Sequence, residues 1–384
     1  MIQTGDHHRR LLWALSEAGQ ASRTELAAAA GLSKAAVTAA TRELIGSGLI
    51  AEAEQVRRAG RPSTLLTLRS GAVWFAGLSL RPGRGRIVLC DMKGHIAGRR
   101  DLPGRRDPHE ICATLESDLE ALLADCGVER DAVYGMGISI SGVVSPEQDV
   151  CIRSTLMGWN DVPLGRMATA ALGMPVLIEN DANALAIHEK LFGGISGDSL
   201  ALVSVGVGIG GALFIGRQLF RGAAGGAGEF AHITVAPGGA PCICGKRGCL
   251  DTVASMRAVA TAAEEAGLEE TSLDALERAA AHRGDSRAIA ILHRAGEALG
   301  LALAHLIQIV NPGHVIVRME ADTVDGLYAT ALAQSLDANV LPQMRERTAL
   351  DVGTALEGGH AAGAASVAAH RLLLTPNTKQ RKMA

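Results

Sequence analysis

Apolar residues along 6–18, DHHRRLLWALSEA, place Leu11, Leu12 and Leu15 on one helical stripe, and Gly19 ends it. The spacing predicts a second helix over Arg23–Ala30, entered through Ser22 as N-cap and closed at Gly31. A third is expected over Lys34–Ile45, with Ser33 as N-cap and Val37, Leu44 and Ile45 facing inward. Gly48 then breaks the chain into Leu49–Ile50, completing a helix-turn-helix pattern. A basic stretch, Gln55–Arg61, and the apolar run TLLTL follow, as a wing and its returning strand would. From Trp74 the period changes. WFAGLSL, RIVLCDM, VYGMGISI, MPVLIEN and SLALVSVGV are expected as strands, with helices at Pro108–Cys126 and Gly165–Leu172. Residues 285–310 read as a long apolar-striped helix leading to the strand HVIVRM. The alternation predicts an α/β body with buried strands. No internal repeat stands out, and the terminal NTKQRKMA is expected to fray.

Length refines this picture. A chain of 384 residues exceeds one compact core and implies two or three domains, here a head over 1–69 and a body over 70–384. Aromatic residues make only 3% against 46 glycines, so the core must be built from Ala, Val, Leu and Ile. No run of some 18 or more uncharged apolar residues occurs and MIQTGDHHRR is no apolar leader, so a cytoplasmic protein without a membrane span is expected. Residues 1–69 hold nine Lys/Arg against six Asp/Glu, whereas the rest hold 28 against 34. A basic head on an acidic body points to nucleic acid as the head's partner.

On the head, Ser33, Lys34, Thr38 and Arg42 supply the short polar and cationic side chains needed at the start of a recognition helix. Arg57, Arg58 and Arg61 suit a basic segment lying in a minor groove. Three amphipathic helices forming an interaction bundle is the alternative. The turn register and the RRAGRP tail favour DNA.

In the body, GEFAHITVAPGGAPCICGKRGCLD (228–251) brings His232, Cys242, Cys244 and Cys249 into one short stretch. One imidazole and three thiolates make the ligand set of a closed, structural zinc site, the alternative being three reduced thiols in a turn. The other four cysteines, Cys90, Cys112, Cys126 and Cys151, are scattered and read as structural. In IENDANAL, Asp181 follows an apolar strand and opens a helix, where ligands of α/β sheets gather. It is a candidate general base or polyol acceptor, or simply an N-cap. Glu229 and His232 stand three residues apart, so one helical turn would bring them together. The run VSVGVGIGGALFIG, with Gly206, Gly208, Gly210 and Gly211, reads either as a phosphate cradle or as a hairpin turn.

GISISGVVSP, IENDANALAIHEKLFGG, SVGVGIGGALFIGRQLFRGAAGGAGEFAH and CICGKRGCLD, in this order, resemble the ROK family of sugar-dependent repressors and sugar kinases. The resemblance spans roughly residues 70–375, and the helix-turn-helix ahead of it matches the family's xylose and N-acetylglucosamine repressor branch. It implies a winged helix-turn-helix followed by a two-lobed actin-like (ribonuclease-H-like) sugar-kinase fold with a sugar cleft. It assigns sugar hydroxyls to Asn180, Asp181, Glu229, His232 and Asp251, with Asp181 as the vestigial kinase base, and structural Zn2+ to His232, Cys242, Cys244 and Cys249. Asp251 stands where Glu is commoner, and Ala231 where Gly is. The nucleotide side departs further. Ser79-Leu-Arg-Pro-Gly83 replaces an Asp-x-Gly-Gly-Thr loop, Val207 replaces a Thr, and Arg318 and Met319 replace glycines after HVIV. Phosphoryl transfer rests on positioning and magnesium, so no catalytic residue is expected. The resemblance implies a sensor for a sugar or sugar phosphate that binds a two-fold DNA operator as a homodimer or homotetramer. The alternatives are an ATP-dependent sugar kinase with an added DNA-binding domain and a scaffold with a vestigial cleft.

Overall fold

The structure is a computed structural model that describes residues 4–53, 64–195, 197–216, 218–319, 325–355 and 358–374. The head comprises α1 (Asp6–Ala18), β1 (Gln20–Ser22), α2 (Arg23–Ala30), α3 (Lys34–Gly46), β2 (Ile50–Glu52) and β3 (Leu65–Leu68). Side-chain caps fix where the helices start. Ser22 Oγ accepts the Glu25 N–H at 3.2 Å while Glu25 Oε2 accepts the Ser22 N–H at 2.8 Å, a reciprocal capping box. Ser33 Oγ accepts the Ala36 N–H at 3.2 Å. Leu11, Leu12, Leu15, Leu26, Val37 and Leu44 are buried between the three helices. The strands pair antiparallel in the order β1-β3-β2. Residues 54–63, with Arg57, Arg58 and Arg61, lie outside the described residues. Ser22→Ala removes one half of the capping box and is expected to cost the head about 1 kcal/mol. An unchanged urea midpoint would contradict this.

The chain divides into two compact units, Met1–Ser196 with Gly358–Ala384, and Gly197–Glu357. Beyond the head, the first unit runs β4 (Trp74–Arg81), β5 (Arg84–Asp91), β6 (Ile96–Pro103), α4 (Pro108–Cys126), β7 (Val133–Ile140), β8 (Val143–Val144), β9 (Cys151–Ser154), β10 (Trp159–Val162), α5 (Leu164–Leu172), β11 (Val176–Asn180) and α6 (Asp181–Phe192). Its main sheet has the order β11-β7-β4-β5-β6, with β4, β7 and β11 parallel and β5 and β6 antiparallel. One face buries Leu78, Leu80, Met136, Ile138 and Ile178 against Leu115, Leu119 and Leu122 of α4 and Ala168 of α5. β8, β9 and β10 form a small separate sheet.

The second unit contains β12 (Leu200–Val205), β13 (Ile209–Ile215), β14 (Gln218–Leu219), α7 (Asp251–Ala254), α8 (Met256–Glu265), α9 (Leu273–Arg283), α10 (Ser286–Val310), β15 (His314–Met319), α11 (Leu327–Asn339), α12 (Pro342–Arg345) and β16 (Ala349–Thr354). Its sheet order is β14-β13-β12-β15-β16. Numbered within each unit, both main sheets read 3-2-1-4-5: an antiparallel meander extended by two parallel strands. α10 has the length and apolar composition of a membrane-crossing helix, yet Leu292, Leu299, Leu303 and Ile307 sit in this unit's core. The chain then returns to the first unit as α13 (Gly359–Ala369), packed on the sheet face opposite α4. A Cβ at Gly137 would stand 1.8 Å from the Ala364 carbonyl oxygen, so glycine is what lets this helix lie so close.

Candidate functional site

The strongest cluster lies in the second unit. The ligand atoms of His232, Cys242, Cys244 and Cys249 all fall within 4.8 Å of one another. Cys244 Sγ and Cys249 Sγ are 3.7 Å apart, and Cys242 Sγ and His232 Nδ1 3.5 Å. Tetrahedral zinc with ordinary Zn–S and Zn–N bonds has edges of about 3.8 and 3.6 Å, so donor set and spacing both fit the metal. The loop is drawn round by backbone bonds from Cys242 N–H to Lys246 O at 2.8 Å and from Gly245 N–H to Cys242 O at 3.0 Å. Gly248 has φ +70, and a Cβ there would sit 1.6 Å from the Ala236 carbonyl oxygen. Burial and the adjoining Cys244 and Cys242 push the Cys249 thiol up to about 12, whereas a hydrogen bond from the Lys246 backbone draws the Cys244 thiol down. A divalent cation would let all three ionise. Burial, with Asp91 adding to it, raises Cys90 to about 12, and burial with Asp161 raises Cys151 to about 11, as suits inert core thiols.

Glu229 and His232 come together across a 3-10 turn, Phe230–His232. Nδ1 of the imidazole faces the cysteines, while Nε2 lies 3.7 Å from Glu229 Oε2. That division fixes the ring and leaves the half-exposed Glu229 carboxylate at the surface. Asp251, two residues after Cys249, is buried; its Oδ1 accepts the Ile209 N–H at 3.0 Å and its Oδ2 pairs with Arg257. It therefore anchors the tip of the β12–β13 hairpin. The glycine run forms that hairpin, with Val205 opposite Ile209 and Val207 exposed at the turn.

In the first unit the cap of α6 is Asn180, where the sequence had offered Asp181. Asn180 Oδ1 accepts the N–H groups of Ala182 at 2.9 Å and Asn183 at 3.2 Å, and its Nδ2 donates to Gly142 O at 3.1 Å. Asp181, relieved of capping, is half-buried, and among the described residues its Oδ1 meets only the neighbouring Ala182 N–H, at 2.9 Å. Sequence reasoning missed the support behind this turn. Glu179, 1% exposed, accepts from Asn180 N–H at 2.9 Å, Asn183 Nδ2 at 3.0 Å and Gln148 Nε2 at 3.0 Å. A carboxylate ending an otherwise apolar strand was the available signal.

The head presents Ser33, Lys34, Thr38 and Arg42 exposed. Lys34, Thr38 and Arg42 follow at intervals of four, so they share one face of α3. Ser33 is committed to its cap, and Thr38 Oγ1 donates to Lys34 O at 2.8 Å. The first hairpin of the body joins β4 to β5 through Pro82 and Gly83, with Arg81 paired to Arg84. Gly83 at φ +80 and the preceding proline make a stiff turn. At the end of β15, Arg318 pairs with Asp351 at 2.8 Å and Met319 is buried.

Comparison with known proteins agrees with this anatomy. The model of the ROK family matches residues 80–371, and that of a winged helix-turn-helix DNA-binding domain matches residues 6–51. A putative xylose repressor of Caldicellulosiruptor sp. is 32% identical over 328 residues, covering 81% of this chain and 82% of the relative. A glucokinase of Halalkalibacterium halodurans is 27% identical, covering 73% of this chain and 90% of the relative. The crystal structure of a ROK family transcriptional regulator, a homologue of the E. coli MLC protein, superimposes with TM-score 0.78 at 26% identity, covering 95% and 96% of the two chains. With a family model spanning most of the chain, a matching head and this fold, the chain belongs to the ROK family.

Proposed function

We propose that this chain is a DNA-binding transcriptional repressor whose effector domain senses a sugar or sugar phosphate without transferring phosphate. The head, residues 1–69, reads the operator through Lys34, Thr38 and Arg42, with Ser33 setting the start of the recognition helix and Arg57, Arg58 and Arg61 entering a minor groove. The effector domain, residues 70–384, supplies Asn180, Asp181, Glu229 and His232 to sugar hydroxyls. Asp251 acts behind them by holding Ile209. Structural zinc on His232, Cys242, Cys244 and Cys249 fixes the imidazole that faces Glu229. A homodimer or homotetramer places two heads on a two-fold operator, in the cytoplasm where that operator is. The xylose repressor relative supports this reading and makes an aldose the first effector to try.

The observation that carries it is the combination of an exposed Lys34–Thr38–Arg42 face with a first hairpin ending in Arg81, Pro82, Gly83 and Arg84, where no acid stands to organise magnesium. The glucokinase relative favours a second reading, an ATP-dependent sugar kinase bearing a head. Melting temperatures measured with D-xylose, D-glucose and their phosphates, with ATP–magnesium as a parallel arm, separate the two. A ligand that binds only the native state raises the midpoint by mass action. One sugar is expected to raise it and ATP–magnesium to leave it unchanged. A shift with ATP–magnesium, followed by sugar-dependent release of ADP, would install the kinase reading instead.

A further inference from the structure

Within the first unit the head is docked on the effector domain, and one face of α1 makes the contact. Arg9, Trp13 and Glu17 follow at intervals of four along that helix, apart from the leucines that fill the head's own core. Trp13 meets the His370 ring edge-on, with centroids 5.2 Å apart and planes at 64°. Arg9 is close enough to Tyr134 of β7 to oppose the rise that burial imposes on its phenol. Glu17 Oε1 lies 2.6 Å from Lys190 Nζ, whose side chain is 1% exposed and which also donates to Ile195 O at 3.1 Å. Burying an ammonium this deeply is costly, and the close Glu17 carboxylate offsets part of that cost.

Lys190 is in the last turn of α6, the helix whose first residue is Asp181. Nine residues, about 13 Å of helix, separate them. Every residue from Ala182 to Leu191 except His188 is fully buried, and His188 Nδ1 is tied to Ser366 Oγ of α13 at 2.8 Å. The helix is thus held as one rigid rod with the candidate ligand at one end and the DNA-reading head at the other.

We propose that α6 is the lever of the repressor: sugar at Asp181 displaces the helix, and the buried Lys190–Glu17 pair carries the displacement into α1 and so to the recognition helix. The proposal rests on the sugar-sensing reading above and adds the route. Both sites bias one two-state element, the docking of α1, so the coupling is reciprocal: sugar and operator weaken each other by the same factor.

The test uses the full chain and Glu17→Gln, which removes the charge, keeps the shape and lies away from the sugar and DNA contacts. Three quantities are read: affinity for D-xylose or D-glucose by calorimetry, affinity for a duplex selected in vitro by the sugar-free protein, with and without saturating sugar, and hydrogen exchange of α1. In the natural chain, sugar is expected to change duplex affinity by about 5- to 150-fold. In Glu17→Gln, sugar affinity should stay within about twofold, while the ratio of duplex affinities with and without sugar collapses to below about threefold. Exchange across α1 should rise even without sugar. Lys190→Met, which replaces the ammonium by an apolar chain of similar length, should give the same loss of coupling without a buried charge. An undiminished ratio in both variants overturns the lever. If neither sugar alters the natural chain, the sensing reading fails separately, and unchanged α1 exchange in Glu17→Gln would then overturn the docking on its own.

Discussion

Chelation of the metal from the purified protein is expected to remove one zinc per chain, lower the melting temperature by many degrees and abolish any response to sugar. The loop from Ala236 to Gly248 has little core: Ile243 is 57% exposed, and Cys244 and Lys246 lie at the surface. Its conformation is therefore held by backbone turns and by whatever joins the four donor atoms. In small zinc domains the metal contributes roughly 10–16 kcal/mol of apparent binding energy at neutral pH, and that energy is folding energy. Here it acts on one loop of a larger unit, so part of the loss will appear as local unfolding rather than collapse of the sheet. Acid should have the same effect. Without metal the Cys249 thiol, raised above its ordinary 9.0 to about 12, remains protonated through neutral pH. That raised value favours the folded, neutral form below about 9 and loses this advantage only as pH climbs towards 12. Zinc must displace that proton, so retention should fall as pH is lowered, and Cys244, with its depressed thiol, should ionise more easily than Cys249. Cys249→Ser should reproduce the chelated state. Protein purified without chelators that contains no zinc, or whose melting is indifferent to a chelator, would remove the metal from the scheme.

The parts of this fold that could be read in advance are those decided by neighbours in sequence. Ser22 and Ser33 cap the helices they were expected to cap, because an N-cap needs only a side chain and N–H groups two or three residues on. Five apolar runs became β4, β5, β7, β11 and β12, because fully buried strands are uniformly apolar. α13 escaped because GHAAGAASVAA has no polar face: the helix is buried nearly all round, so amphipathic periodicity vanishes. β6 escaped because IAGRRDLP is an edge strand whose middle is the charged run Arg99, Arg100 and Asp101. The repeated 3-2-1-4-5 topology depends on its parallel pairings, such as β4 with β7 and β12 with β15, which join residues far apart in the chain. The same distinction divides the candidate site. The Cys-rich loop is local and legible. The Glu17–Lys190 pair joins positions 173 residues apart (190 − 17), and nothing near either residue announces the other.

Local chemistry left the role of Asp181 open between cap and ligand acceptor, and the cap geometry sharpens the second experiment. Asn180 caps α6 with its own amide, so Asp181 is free of that duty. Asp181→Ala should therefore leave the sugar-free melting temperature within a few degrees, losing chiefly a favourable charge at the helix N-terminus, about 0.3–1 kcal/mol. Its effect on sugar should be larger. A hydrogen bond from a hydroxyl to a carboxylate contributes about 1.5–3 kcal/mol, so sugar affinity should fall roughly 10- to 150-fold and operator release should need correspondingly more sugar. Glu229→Ala should act alike, since its side chain is half-exposed and its approach to His232 is a loose 3.7 Å. Asn180→Ala is the contrasting variant. It strips the cap and the bond to Gly142, and should lose stability and sugar affinity together. In the double variant Asp181→Ala/Glu229→Ala the operator should still be bound and sugar should no longer release it, when calorimetry and a gel-shift titration are read on the same preparation. Normal release by sugar from that double variant would mean that the effector is recognised elsewhere. Loss of operator binding in it would mean that these carboxylates hold the head's active arrangement in place instead of reading a ligand.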